Sequence, residues 1–251
     1  MALTLGLLIC PVAALILRVP VGDLVERLTS PLVAQALWLS LLTSGAATIL
    51  VALLGLPVAY ALAMWTFPGK RGLEALIDLP MVLPPTVAGV GLLLAFGRVG
   101  LLGRFLAPYG ITIPFTTVAV ILAQAFVAGP FFITATRAGL ESVESKYVQA
   151  AATLRASPVY TLVHVQLPLS VPALLAGAAM TWARALGEFG ATITFAGNLP
   201  GVTQTMPLAV YIALQTDLAA AITLSVILLV VSFALLLALR ALPVPRARGR
   251  S

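Results

Sequence analysis

The chain is short of charge. Only 9% of its 251 residues are Asp, Glu, Lys or Arg, against ~25% in an ordinary soluble domain. It has one cysteine, Cys10, and one histidine, His164. A single cysteine excludes an intrachain disulfide framework and a cysteine zinc cluster. A single histidine excludes a multi-histidine metal centre, and no metal or cofactor is expected. The phosphate-binding pattern G-x-x-x-x-G-K-[ST] is absent, so any ATP hydrolysis must be done by another chain. The hydrolase signatures H-E-x-x-H and G-x-S-x-G are absent too, which weighs against an intramembrane enzyme. No internal repeat is visible, which weighs against a secondary transporter built from inverted halves.

What fills the chain is apolar: 61% of residues are hydrophobic and the mean hydropathy is +1.11. A chain of this composition needs the lipid bilayer as part of its solvent. No strand alternation suggests a barrel, so the expectation is an all-α membrane protein, a single permease-like domain over 1–251. A spanning helix needs ~20 mostly apolar residues. Six candidates meet that need: Ala2 to Val19, Pro31 to Trp65, Leu73 to Gly97, Ile113 to Thr136, Leu169 to Ala196 and Leu208 to Leu239. The first lacks a basic lead and a cleavage site, and reads as a retained helix rather than a signal peptide. Pro57 is expected to bend the second, and Pro80, Pro84 and Pro85 interrupt the third.

Lys and Arg counts set the orientation. Six spans put both termini on one side. That side holds nine basic residues: Lys70, Arg71, Arg137, Lys146, Arg155, Arg240, Arg246, Arg248 and Arg250. The other holds four, Arg18, Arg27, Arg98 and Arg104. The termini are therefore expected in the cytoplasm. The tail "RALPVPRARGR" reads as a stop-transfer anchor, and no nucleic-acid partner is expected.

One stretch is too polar to cross a bilayer: "ESVESKYVQAAATLRASPVYTLVHVQLP", Glu141 to Pro168. Its alanines favour helix, with Ser142 or Ser145 as a cap. Ser157 and Pro158 suit the start of a second short helix. Val148, Ala151, Ala152 and Leu154 give the first a small apolar face. A helix lying on lipid needs larger apolar residues and more cations. Docking into a groove of a protein partner fits small residues better. His164 reads as a solvated or packed residue.

The pattern Gln149-Ala150-Ala151, three residues, Arg155, nine residues, Val165, one residue, Leu167-Pro168 resembles the "EAA" loop of ABC importer permeases. That loop reads Glu-Ala-Ala, three residues, Gly, nine residues, Ile, one residue, Leu-Pro. Gln149 stands for the usual Glu, and Arg155 for the Gly that allows the turn after the first helix. The resemblance implies a type I importer permease fold in a prokaryotic plasma membrane. It makes 137–168 the cytoplasmic coupling loop seated on an ATP-binding subunit.

The stretches "LPMVLPPTVAGVGLLLAFGRVGLLG" (79–103) and "ARALGEFGATITFAGNLPGVTQTMPLAVY" (183–211) are similar to molybdate and tungstate permeases. Sulfate permeases share the core from Gly187 to Ala191. The resemblance implies an oxyanion importer with an extracytoplasmic binding protein and a second permease copy. Molybdate relatives use two identical permeases, sulfate relatives two different ones. ATP is needed because a dianion moving into a negative cell climbs ~4.6 kcal/mol per 100 mV. Each decade of accumulation adds about 1.4 kcal/mol.

Candidate path or gate residues follow from cost. Arg184 and Glu188 stand four apart in an apolar span, where ionisable groups usually face a cavity or the bundle interior. They line the path or gate, or form a pair that fixes helix packing. Gly187 lies between them. Pro84 and Pro85 break a helix that restarts at Thr86, and its free N–H groups favour an anion. The alternative is a kink without a substrate role. Gly89 and Gly91 permit close approach of another helix or a substrate.

Overall fold

A computed structural model of the chain describes residues 2–19, 22 and 30–241. Those residues are helical, without a strand among them. The helices are α1 (Ala2–Leu17), α2 (Pro31–Met64), α3 (Lys70–Val82), α4 (Pro85–Phe96), α5 (Gly103–Leu106) and α6 (Thr117–Glu141). There follow α7 (Ser145–Thr153), α8 (Pro158–Leu186), α9 (Gly190–Ala196), α10 (Met206–Thr216) and α11 (Leu218–Ala241). Arg27, Arg246, Arg248 and Arg250 lie outside the described residues.

Among the described residues, α2, α6, α8 and most of α11 are long and apolar enough to cross a bilayer. The bent pair α3–α4 makes a fifth span if taken as one, and α1 and α10 are shorter apolar helices. The described residues thus give four spans, or five with the bent pair as one; a sixth would have to come from one of the shorter helices.

Three of the expected spans are not single helices. The third starts at Lys70 and turns by 116° between α3 and α4. Leu83 and Pro84 each precede a proline, which disfavours helical ψ; both are extended, at ψ 135° and 132°. Pro80, by contrast, is buried inside α3 without ending it. The fifth begins at Pro158 and breaks after Leu186. The sixth breaks at Asp217, whose Oδ1 accepts the Ala220 N–H at 3.1 Å and caps α11. The fourth is shifted: Thr116, not Ile113, sets its start by accepting the Ala119 N–H at 3.3 Å, and it runs on to Glu141. α2 continues unbroken through Pro57.

Helix α6 is the centre of the bundle, packed against both α2 and α8. Ala47, Ala128 and Ala185 meet at that crossing, all fully buried. Lipid gives little hydrophobic drive for helices to associate, so close backbone approach and interhelical hydrogen bonds hold the bundle. Ser170 Oγ donates to the Gly139 carbonyl at 3.1 Å, from α8 to α6. Ser40 of α2 accepts the Met206 N–H at 2.7 Å and so covers the first turn of α10. Two further clusters flank this centre. One joins α4, α6 and α9 around Val120 and Phe195, and the other joins α2, α10 and α11 around Met206 and Leu224.

Candidate functional site

The polar stretch forms a helical elbow. The N-cap position of α7 is Glu144, with no side-chain bond, so neither Ser142 nor Ser145 serves as the expected cap. Ser142 Oγ instead donates to the Gly139 carbonyl at 2.7 Å. The helix closes with two reversed bonds, Arg155 N–H to the Ala152 carbonyl at 2.9 Å and Ala156 N–H to the Ala151 carbonyl at 3.1 Å. That pairing is a Schellman ending, which puts its C′ residue in the left-handed region. Arg155 is that residue, at φ +59°. A side chain with a Cβ costs roughly 1–2 kcal/mol there, so the position favours glycine.

Ser157 starts the next helix, accepting the Tyr160 N–H at 3.2 Å, with Pro158 in the first turn. This helix is not short. It runs without interruption into the membrane as α8, through a π turn at Leu162–Gln166. Pro168 follows that turn. Proline lacks an N–H and its ring crowds the carbonyl four residues back; the wider turn gives it room. The elbow is thereby continuous with a helix of spanning length.

The sequence-predicted residues of the elbow divide into three groups. Gln149, Ala150, Arg155 and Pro168 are exposed, Val165 and Leu167 half-buried, and Ala151 buried at 8%. The apolar face of α7 is thus split, with Val148 and Ala151 inward, Ala152 and Leu154 outward. Between α7 and the start of α8 lies a cleft of about 590 Å³, lined by Tyr147, Ala150, Leu154, Arg155, Tyr160 and Val165, among others. His164 stacks on Tyr160 at 4.1 Å between ring centres. Lys146 pairs with Glu144 at 2.6 Å, and the carboxylate raises the lysine's pKa.

Two ion pairs on one arginine were not foreseen. Arg137 reaches Glu74 of α3 and Glu141 of its own helix, each at 2.8 Å. Thr134 Oγ1 donates to Asp78 at 3.4 Å. The polar side of α3 is thus docked on the last turns of α6, next to the elbow. The i,i+4 spacing of Arg137 and Glu141 was visible in sequence; the reach to Glu74 required the fold.

The second constellation lies at the breaks in the membrane helices. Arg184 is in the last turn of α8, and Glu188 is just beyond it rather than on the same helix. They still meet, Arg184 Nη1 to Glu188 Oε2 at 2.6 Å. Glu188 is 1% exposed, Arg184 31%. The other carboxylate oxygen, Oε1, accepts the Ala191 N–H at 2.8 Å in the first turn of α9. Both oxygens of the buried carboxylate are satisfied, and it spans the break from the end of one helix to the start of the next. Gly187 is exposed and lines an apolar cavity of about 590 Å³ between α8, α10 and α11.

The two breaks touch. A Cβ on Gly190 would stand 2.6 Å from Pro85 Cβ, and one on Gly89 would stand 2.6 Å from Thr194 Cβ. Pro85 and Gly89 of α4 therefore pack directly on α9. Gly91 has open space around it and plays no part in this approach. Pro84, Pro85 and Thr86 are exposed. Sequence reasoning passed over two buried polar groups: Gln124 of α6 and Thr192 of α9 are fully buried.

Apolar helices of spanning length, joined by a polar elbow and by paired helix breaks, define an all-α membrane protein. Residues 52–248 match the family described as binding-protein-dependent transport system inner membrane component. The chain belongs to that family; it is a multi-pass inner-membrane permease subunit, not an enzyme. Its relatives include the molybdenum transport system permease protein ModB of Mycobacterium tuberculosis. The two are 45% identical over 222 residues, 88% of this chain and 84% of the relative. The ModB of Escherichia coli is 43% identical over 183 residues, 72% of this chain and 80% of the relative. The sulfate transport system permease protein CysT of Salmonella typhimurium is 35% identical over 240 residues, 94% of this chain and 87% of the relative. Among solved structures, the MetNI methionine ABC transporter aligns with TM-score 0.65 at 20% identity, over 83% of this chain and 93% of that one. A bacterial alginate ABC transporter, in complex with an alginate pentasaccharide-bound periplasmic protein, aligns with TM-score 0.67 at 13% identity. It covers 94% of this chain and 92% of that one. The fold is that of a type I ABC importer permease.

Proposed function

We propose that the chain is the permease of an ATP-driven importer of tetrahedral oxyanions, with molybdate or tungstate as substrate. The observation that carries this reading is the higher identity to the molybdenum permease, 45% against 35% for the sulfate permease, over most of the chain in both cases. Sulfate is the second reading, supported by the greater share of the chain that the sulfate relative spans.

Both termini face the cytoplasm, in line with the excess of Lys and Arg in 66–72 and 137–168. A separate ATP-binding subunit sits on the elbow and pushes α8 through Gln149, Ala150, Ala151, Arg155, Val165, Leu167 and Pro168. An extracytoplasmic binding protein delivers the anion, and a second identical permease completes the path. The path follows the paired breaks, past Pro84, Pro85, Thr86 and Gly89 on one side and Arg184, Gly187 and Glu188 on the other. A continuous helix from the elbow and short helices at the breaks suit a device in which a push at one end re-seats helix segments at the other.

The test is transport in proteoliposomes holding this chain, its ATP-binding subunit and its binding protein. Molybdate-loaded binding protein should stimulate ATP hydrolysis and move labelled molybdate inward. If sulfate does so and molybdate does not, the substrate is sulfate and the importer reading stands. If neither anion stimulates hydrolysis and another solute does, the oxyanion reading fails.

A further inference from the structure

We propose that Arg155 selects the ATP-binding subunit by pairing with a carboxylate on that subunit's docking surface. The proposal rests on the reading of the elbow as the ATPase seat, and adds the chemistry by which the seat recognises its occupant.

Three observations carry it. The first is conformational. Arg155 occupies the left-handed C′ position of a Schellman ending, at φ +59°. Glycine would take that position without strain. An arginine held there brings nothing to the backbone, so its contribution lies in the side chain.

The second is charge. Among the described residues Arg155 makes no ion pair, whereas its neighbours neutralise each other: Lys146 with Glu144 at 2.6 Å, Arg137 with Glu141 at 2.8 Å. The elbow therefore presents one uncompensated cation, and it stands on the rim of the cleft. A guanidinium offers a planar fork that matches a carboxylate with two parallel hydrogen bonds.

The third is the surface around it. Tyr147, Leu154 and Tyr160 line the same cleft and are 43%, 83% and 54% exposed. An apolar, aromatic-edged cleft with a single cation at its rim has the make-up of a protein interface. A membrane-binding surface needs several cations together with an apolar face. From 137 to 168 the formal charges are Arg137, Glu141, Glu144, Lys146 and Arg155, three positive and two negative, which leaves a single net positive charge. The occupant is thus a protein surface that carries an acidic side chain beside an apolar one.

The experiment co-expresses the chain with the ATP-binding subunit from the same host and measures their affinity in detergent at low and high salt. Arg155→Gly should fold at least as well as the wild type, since it relieves the strained turn. It should bind the subunit about fivefold more weakly at low salt, the upper range for a largely exposed ion pair. Its salt dependence should be shallower than the wild type's. Arg155→Glu should be weaker again, and reversing the facing carboxylate to lysine on the subunit should restore it. Wild-type affinity and salt dependence in both variants would overturn the proposal. So would variants that lose binding to anionic phosphatidylglycerol vesicles and keep the subunit, an outcome that assigns Arg155 to lipid. If the wild-type chain itself holds no ATP-binding subunit under any condition, the elbow reading fails along with the proposal, and that failure is common to every variant.

Discussion

Two joints in this chain each carry a charge, and they use it in opposite ways. At the elbow, Arg155 is exposed, conformationally strained and without an ion-pair partner among the described residues. At the α8–α9 break, Glu188 is 1% exposed and fully engaged, by Arg184 at 2.6 Å and by the Ala191 N–H at 2.8 Å. A buried charge survives only where its partners come from the same fold, because desolvation is too costly otherwise. An exposed charge at a strained position has no such internal reason. The difference separates a joint that holds the chain together from a joint that offers something outward.

The comparison breaks most sharply at the buried joint. Arg184→Ala leaves the Glu188 carboxylate buried and unpaired, and should cost about 3–5 kcal/mol of stability. The double change to alanine should cost less than Arg184→Ala alone. Thermal unfolding of the single and double variants in detergent checks both statements; strictly additive losses would mean that the two residues do not act as a pair. Next in size is the contact between the breaks. Gly89→Val places side-chain atoms against Thr194 and the Ala191 carbonyl, and overpacking of this kind costs roughly 1–3 kcal/mol. The same melting assay reads it, and an unchanged midpoint would show that α4 and α9 are loosely apposed.

The elbow should respond more mildly. Ser157→Ala removes the cap on the Tyr160 N–H and should cost about 1 kcal/mol. Hydrogen exchange at Val159 and Tyr160 should quicken while α6 stays protected. Smallest of all is Arg155→Gly. Relief of the left-handed strain, roughly 1–2 kcal/mol, is largely offset by glycine's extra freedom in the unfolded chain, about 0.5–1 kcal/mol. A net gain of about 0.5 kcal/mol is expected. A clear loss would show that the side chain supports the turn from within, and would erase the contrast with Glu188.

The fold class was legible because a run of apolar residues has few solutions in lipid. The element boundaries were less so. Hydropathy does not register Asp217, which sits in an apolar run and caps a helix by a local hydrogen bond. It does not register the break after Leu186 either, where the chain stays apolar while the backbone turns. Leu83 and Pro84 were readable because the residue before a proline is constrained locally. At the elbow, the spacing from Gln149 to Pro168 located the joint, and Arg155 marked the turn. The inward setting of Ala151 depends on how α7 leans on its neighbours, which no local pattern encodes. Glu74 and Arg137 lie 63 positions apart, and their contact required the packing of α3 on α6.

The coupling role of the elbow is tested most directly at Ala150, an exposed residue on the cleft. Its neighbour Ala151 is unsuitable, since a charge there would disturb the chain's own packing. The measurement is co-purification of the ATP-binding subunit with Ala150→Glu, alongside the melting temperature of the isolated permease. A permease that melts like the wild type and no longer holds the subunit is the expected result. A variant that keeps both the subunit and full transport would contradict the assignment of this loop as the ATPase seat.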